Sequence, residues 1–375
     1  MPGSGKSTLA RGMAKALGKS VVDTDEEFVR RYGPIEAFWA AYGEERFRKT
    51  EQELYIECAH SDKEIISCGG GAVLSKPAMN ALRAAGDIVY LTAPTELLKS
   101  RTEGSARPLK DDIEGLAKAR KPLYEMYADY TVDASCGDVV KKTSDALSEN
   151  RPNRYDVILC DADDTVLDFQ AAMEYAVLNT KAACAIKSDD KSLIGAFRKC
   201  TDEVFKRLER GEIDRGTLGI TRFKMVGEML GEEIDGELAH RTFFEEMKKT
   251  RFVRAGAIEF LDDVRARGIK VYIATNSYSS IAEKRLKVLN GHVDGAFVSE
   301  DVGFDKPNVK YFESVYNRIG RPNKQRMLML GDSNTSDVAG GIAFGIDTCF
   351  FDPTGRKQTS ADYRAGGYAE VLKLI

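Results

Sequence analysis

Long hydrophobic runs, closely paired cysteines and a large excess of one charge are all missing from this sequence. No apolar stretch approaches the length needed to cross a bilayer, and the first residues carry no signal-peptide pattern, so no membrane partner is expected. The seven cysteines, Cys58, Cys68, Cys136, Cys160, Cys184, Cys200 and Cys349, include no CxxC pair, which argues against a zinc site or a disulfide framework. Cys68 and Cys160 lie in apolar runs and are expected to be small buried residues of a reducing, cytoplasmic setting. A net charge of −4 leaves no broad basic surface for nucleic acid. The three histidines, His60, His240 and His292, have no acid partner at a recognisable spacing and read as structural or surface residues.

What is present is apolar material, 43% of 375 residues, enough for two globular interiors. Short apolar runs alternate with longer helical patterns in both halves, the rhythm of parallel-sheet, three-layer α/β units. Strands are expected at 20–22, 64–68 and 88–91, then at 156–160, 270–274, 295–298, 327–330 and 348–351. A polar, proline-containing stretch places a linker at 149–154 between domains of 1–148 and 155–375. Residues from about 170 to 250 lack strand signals and read as an inserted helical cap.

Near the start, Gly3-Ser4-Gly5-Lys6-Ser7-Thr8 fits the end of the phosphate-loop pattern G-x-x-x-x-G-K-[ST]. Glycines let backbone N–H groups approach phosphate oxygens, and the helix that follows adds the positive end of its dipole. Lys6 would reach the outer phosphates of ATP, and the Ser7 hydroxyl would bind Mg²⁺. Asp23-Thr24-Asp25, Phe47-Arg48 with Glu51, Gly69-Gly70-Gly71, Arg107-Pro108-Leu109 and Arg120-Lys121-Pro122-Leu123-Tyr124 follow in order. The ordered set resembles shikimate kinase across residues 1–148. That resemblance implies that Asp23 holds Mg²⁺ through its water shell and that Asp25 orients and deprotonates the acceptor hydroxyl. It implies that Arg48 and Arg120 clamp the shikimate carboxylate while Gly69, Gly70 and Gly71 let backbone approach the ring. Arg107 would meet the transferring phosphoryl group from a lid, and Arg101 would contact nucleotide. The strand that normally feeds such a loop is absent, as is the motif's first glycine. Its neighbours in the sheet would lose backbone partners, at about 1–3 kcal/mol for each buried orphan. The expectation is a start codon upstream, or a fragment, which mass spectrometry of the native protein tests.

In the second half an apolar run, Tyr155-Asp156-Val157-Ile158-Leu159-Cys160, leads into Asp161-Ala162-Asp163-Asp164-Thr165. Ala274-Thr275-Asn276, Lys306-Pro307 and Gly331-Asp332-Ser333 follow, with Asp337 just beyond. Loops past the carboxyl ends of parallel strands converge on one crevice, so these residues would meet. Asp161, Asp163, Asp332 and Asp337 together make sense only around a cation and a phosphate, with Mg²⁺ and Lys306 supplying positive charge. The ordered motifs resemble the haloacid dehalogenase superfamily over residues 154–375. The resemblance implies that Asp161 attacks phosphorus to form an aspartyl-phosphate, and that Asp163 protonates the leaving alkoxide and then activates water. Nearness to Asp161 would help keep Asp163 protonated. Asp161, the Asp163 backbone carbonyl and Asp332 would ligate Mg²⁺, with Asp337 a further ligand or an orienter. Thr275 would hydrogen-bond the phosphate, with Asn276 beside it at the substrate, and Lys306 would hold nucleophile and phosphate together. An acid at position 163 favours ester cleavage over dehalogenation, because an alkoxide needs a proton and a halide does not.

Stretches such as Thr165-Val166-Leu167-Asp168-Phe169 and Gly345-Ile346-Asp347-Thr348 resemble the nucleotidase branch, whose capped members act on small nucleoside monophosphates. Phe169, Arg222 and Phe223 are expected to pack cap helices rather than to contact a base. The combined reading is a bifunctional enzyme that phosphorylates shikimate and hydrolyses a small phosphate monoester. Gluconate or a nucleoside is the alternative kinase acceptor, against which the Arg48 and Arg120 pair argues. A first half that binds nucleotide or docks without catalysing is the alternative from another class. Other phosphate esters, including sugar phosphates, stay open for the second half.

Overall fold

The computed structural model describes residues 1–102, 112–149, 151–209 and 212–375. The chain divides into two compact units, Met1–Arg154 with Lys373–Ile375, and Tyr155–Leu372. No described helix is long and apolar enough to cross a membrane.

The first unit contains strands β1 (Val21–Asp23), β2 (Ile65–Ser67), β3 (Val89–Thr92) and β4 (Tyr130–Asp133) among its helices. β4 alternates buried and exposed over only four residues, too short a signal to stand out in the sequence. The strands pair in parallel as β1–β2 and β3–β4. Among the described residues no ladder joins β2 to β3. An apolar cavity of about 460 Å³ lies between the two pairs, lined by Ile65 and Ile66 of β2, Val89 and Leu91 of β3, and Met13 and Leu82 of flanking helices. Cys68 departs from expectation, being partly exposed where it lines this cavity. Cys160 is fully buried.

Arg154, expected in a polar linker, is an interior residue of the first unit, its side chain 1% exposed. Its guanidinium donates to both Asp129 carboxylate oxygens at 2.7 and 2.8 Å, and to the Arg83 and Gly86 carbonyls at 2.7 and 2.9 Å. Asp129 also accepts the Ile88 N–H at 2.8 Å, which ties the entry of β3 to that of β4. A fork with this many fixed acceptors is a task for arginine.

The second unit is a parallel sheet of six strands: β5 (Val157–Cys160), β6 (Lys270–Thr275), β7 (Gly295–Val298), β8 (Met327–Gly331), β9 (Asp347–Phe351) and β10 (Tyr363–Ala365). Their order is β10-β9-β8-β5-β6-β7. β5 lies at the centre, with Cys160 in register with Ile273 on one side and Leu330 on the other. Every β5 residue is buried, as a strand covered on both faces requires, and this accounts for its unbroken apolar run. The short edge strand β10 carried no legible signal. Helices Phe169–Ala183, Asp190–Glu209, Arg215–Leu230 and Gly236–Lys249 form the cap. Its interior is built on Phe197, Phe223 and Phe243, with ring centroids 5.3, 5.0 and 5.8 Å apart. Asp168, Asp214 and Asp235 start three of these helices by accepting otherwise unpaired N–H groups. His292, which has no acid partner at a recognisable spacing, meets Asp262 in space, with Nδ1 2.7 Å from Oδ1. The two residues lie on separate elements, so no sequence spacing could reveal the pair.

Trp39, the one tryptophan in the sequence, lies in the first unit and reports on its unfolding. Arg154→Met removes the guanidinium and leaves Asp129 buried without its counter-charge. Such losses cost about 3–5 kcal/mol. Urea unfolding followed by Trp39 fluorescence is expected to show a midpoint lowered accordingly; an unchanged midpoint would show that this pair does not hold the unit.

Candidate active sites

In the first unit the loop before helix Lys6–Leu17 is shaped by two left-handed glycines, Gly3 at φ 73° and Gly5 at φ 85°. A Cβ on Gly3 would stand 2.8 Å from the Leu98 carbonyl oxygen, so a side chain is excluded twice over. No side chain caps the helix, which leaves its first N–H groups and dipole turned toward an anion. The Lys6 ammonium and the Ser4 hydroxyl both donate to the Met1 carbonyl at 2.9 Å, folding the lysine across the loop. Arg101 reaches the same loop, Nη1 lying 3.5 Å from the Gly3 carbonyl. Thr8 follows Ser7 on the first turn of the helix.

Asp23 ends β1 and caps the next helix, accepting the Asp25 and Glu26 N–H groups at 3.0 and 3.3 Å. Burial pushes its carboxyl up, but hydrogen bonds from Ser7, Ser67 and these amides outweigh burial and hold it below its ordinary value. The structure thus brings Ser7 and Asp23 into contact, a hydroxyl and an ionised carboxylate of the kind Mg²⁺ prefers.

A second group gathers at the three glycines. A Cβ on Gly69 would lie 2.6 Å from both Asp25 Oδ1 and the Tyr55 hydroxyl, and one on Gly71 would overlap Arg48 Nη1. Arg120 Nη1 and the Tyr124 hydroxyl donate to the Gly70 carbonyl at 3.0 and 2.7 Å. Arg48 Nη1 also holds Glu51 Oε2 at 2.7 Å. Burial raises the Glu51 carboxyl, with the Arg48 charge opposing it. Asp25, Arg48, Arg120 and Gly69 to Gly71 therefore meet, although they are spread across the chain. Arg107 lies outside the described residues.

In the second unit, Asp161 follows the end of β5, Thr275 ends β6 and Asp332 follows the end of β8, three adjacent strands. Lys306 Nζ donates to Asp161 Oδ1, to Asp337 Oδ1 and to the Ala274 carbonyl at 2.6, 2.6 and 2.5 Å. Burial alone would strip the proton from Lys306, but Asp161 and Asp337 outweigh it and keep the ammonium charged. Burial lifts the Asp161 carboxyl, and the lysine opposes that lift. Oxygens of Asp161, Asp332 and Asp337 lie within 4.8 Å of one another. Three hard carboxylates at that spacing suit Mg²⁺. Asp337 stands on a π-helical turn, Asn334–Val338, and accepts the Ser333 N–H at 3.1 Å.

Three expectations need correcting here. The Asp163 carboxylate is not part of the cluster; it stands 2.7 Å from Arg285 in a poorly aligned ion pair. Burial, more than any carboxylate neighbour, raises its affinity for a proton, and Arg285 works against the rise. Arg285 was not legible in the sequence: it closes the short helix Ser279–Arg285, with nothing local to mark it. Asn276, expected at the substrate, spends its amide on the Lys306 backbone, donating to the carbonyl and accepting the N–H, both at 2.8 Å. It positions the lysine. Asp164 takes a left-handed φ of 57° and accepts the Phe169 N–H at 3.2 Å, closing the turn after Asp161.

These arrangements define two classes: a phosphate-loop α/β unit, and a parallel-sheet hydrolase unit with carboxylates and a lysine at its strand ends. The chain belongs to two families in succession, shikimate kinase over residues 2–148 and haloacid dehalogenase-like hydrolase over residues 155–345. It is 40% identical over 136 residues to shikimate kinase of Histophilus somni, covering 34% of this chain and 78% of that one. It is 32% identical over 204 residues to the HAD-hydrolase YfnB of Bacillus subtilis, covering 53% and 85%. It is 29% identical over 230 residues to pyrimidine 5'-nucleotidase PynA of Streptococcus pneumoniae, covering 59% and 95%. The magnesium-bound crystal structure of YfnB superposes with a TM-score of 0.55 at 29% identity, covering 58% of this chain and 97% of that one.

Burial, helped by Asp337 and Asp164, raises the Asp332 carboxyl to about 6. A carboxyl raised in the folded state holds its proton below that pH and must lose it to bind a cation. Magnesium at a fixed concentration is therefore expected to raise the melting temperature of this unit at pH 7.5 and to do so far less at pH 5. Equal stabilisation at both pH values would contradict the placement of Asp332 in the metal site.

Proposed function

We propose that the chain is a bifunctional phosphoryl-transfer enzyme, with an ATP-dependent shikimate kinase in the first unit and a Mg²⁺-dependent phosphatase in the second. The observation that carries it is the Lys306 ammonium held between Asp161 and Asp337 where three parallel strands end. A cation fixed beside a carboxylate nucleophile is placed to bind the anion that nucleophile attacks.

In the second unit Asp161 attacks phosphorus and forms an aspartyl-phosphate while the ester P–O bond breaks. Asp163 gives its proton to the departing alkoxide, then takes one from the water that cleaves the acyl phosphate. Its burial raises its hold on a proton, which suits the acid role, and Arg285 moderates that rise. Thr275 and Lys306 hold the phosphoryl oxygens. Asp161, Asp332 and Asp337, with the Asp163 carbonyl, would hold Mg²⁺. In the first unit, Gly3 to Thr8 with Arg101 and Arg107 would bind ATP, Ser7 and Asp23 would hold Mg²⁺, and Asp25 would take the acceptor proton. Arg48 and Arg120 would bind the acceptor's carboxylate. Bound Mg²⁺ in each site would supply positive charge to the phosphate oxygens as the P–O bond breaks. The likeness to PynA supports nucleoside 5'-monophosphates as the first phosphatase substrates to assay.

The divided sheet favours a second reading of the first unit, nucleotide binding without transfer. Shikimate phosphorylation assayed beside ATP binding separates the two: binding with no turnover selects the second. For the phosphatase, Asp161→Asn is expected to lower kcat by on the order of 10³-fold or more, because removing a covalent nucleophile leaves only binding and charge stabilisation. Hydrolysis that survives this substitution rejects the aspartyl-phosphate route.

A further inference from the structure

Five described arginines are buried: Arg83, Arg120, Arg154, Arg222 and Arg285. Four have an oxygen partner. Arg83 bonds the Met126 and Tyr127 carbonyls, Arg120 the Gly70 carbonyl and Arg154 the Asp129 carboxylate, while Arg285 faces the Asp163 carboxylate. Arg222 is the exception. It is 8% exposed, no hydrogen bond or ion pair to it is found among the described residues, and its Nε is sealed and unpaired. Its surroundings are the rings of Phe197, Phe243 and Phe223, with centroids 4.4, 4.9 and 5.8 Å from the guanidinium carbon. Those rings attract a cation but offer its N–H groups no oxygen. Burial draws Arg222 down to about 10, so it is still charged at neutral pH.

A second buried polar atom without a partner, His240 Nδ1, lies beside it. Burial and the Arg222 charge hold His240 below its ordinary value, which leaves that ring neutral at pH 7. The ring is seated over Gly219, one turn before Arg222, where any Cβ would overlap it. Gly219 thus makes room for an imidazole that bonds nothing through Nδ1.

The place borders the loop that follows Thr275. Tyr278, close enough to Arg222 to act on its charge, follows Thr275 in the same loop and is 42% exposed. Phe244 links His240 to Tyr278, with ring centroids 6.0 and 5.4 Å apart in turn. The helix that begins after Tyr278, Ser279–Arg285, ends in the arginine that faces Asp163.

We propose that Arg222, with His240 beside it, is the subsite for a carboxylate on the alcohol portion of the phosphate monoester. The inference rests on the phosphatase reading of this unit and narrows its substrate class. A buried guanidinium with no oxygen partner among the described residues presents a single positive charge and a planar donor fork, and a carboxylate matches both. A neutral leaving group would leave the charge uncompensated. The class includes nucleotides that carry an acid on the base and phosphorylated hydroxy acids, the kind of product that a kinase acting on a carboxylated alcohol releases.

Matched substrates test this: orotidine against uridine 5'-monophosphate, and shikimate 3-phosphate against cyclohexyl phosphate. In each pair the acid, and not its partner, carries a carboxylate. The full chain with Mg²⁺ is expected to favour the acid by at least tenfold in kcat/KM in one pair or both. Arg222→Gln should collapse that ratio toward one, and Arg222→Lys should restore part of it. Ratios within one variant are insensitive to the amount of folded protein. Hydrolysis of all four esters with no preference for either acid overturns the subsite and leaves the phosphatase standing. A preference that survives in Arg222→Gln overturns it as well. Hydrolysis of none of them, nor of p-nitrophenyl phosphate, overturns the phosphatase reading itself and the subsite with it.

Discussion

A lysine ammonium enclosed by two carboxylates, with almost no contact with water, organises the second unit. Lys306 is 1% exposed at its side chain and bonds Asp161 and Asp337 at 2.6 Å each. Neither charge could be buried alone, since an ion taken out of water must find its compensation in place. The three residues come from widely separated parts of the chain, so the contact can form only when β5, β6 and β8 stand side by side with their ends aligned. Two positive charges are still wanted there, because the carboxylates outnumber the lysine. Burial first, and the Asp337 and Asp164 charges after it, raise the proton affinity of Asp332. A divalent cation would supply those two charges, and with that cation and Lys306 in place the cluster could then hold an anion.

The two units manage phosphate by different means. In the first, anion recognition would fall to backbone: left-handed glycines, an uncapped helix start, and few side chains. In the second it falls to side-chain charge at strand ends. Glycine also serves different purposes in the two. Gly69 and Gly71 are small so that Asp25, Tyr55 and Arg48 can converge, whereas Gly219 in the cap clears space for one imidazole ring. In each case the missing Cβ is what lets polar groups from separate elements share a small volume.

Much of the site was legible because its chemistry is local in sequence. The loop Gly3 to Thr8, the turn Asp161 to Thr165 and the strand-end residues Thr275, Lys306 and Asp332 each announce themselves by neighbours of the right type. The central strand β5 was legible for the same reason, its apolar run being unbroken. What escaped were features with no local mark. Arg285 closes a short helix, Asp262 pairs with His292 from another element, and Arg154 looked like linker until its acceptors were assembled around it. Strands β4 and β10 escaped because polar residues, Thr131, Asp133 and Arg364, interrupt them, so neither forms an apolar run.

Residue types and their order determined the fold class and the paired families, and they named the candidate groups, because parallel α/β units place such groups at strand ends whatever else varies. Tertiary structure alone decided which of them touch. It turned the Asp163 carboxylate to Arg285 and away from the metal cluster, and it gave Asn276 to the Lys306 backbone. It left Arg222 charged and unpaired among rings. The reason is physical: charge and hydrogen bonding act over a few ångströms in space, and only folding sets those distances.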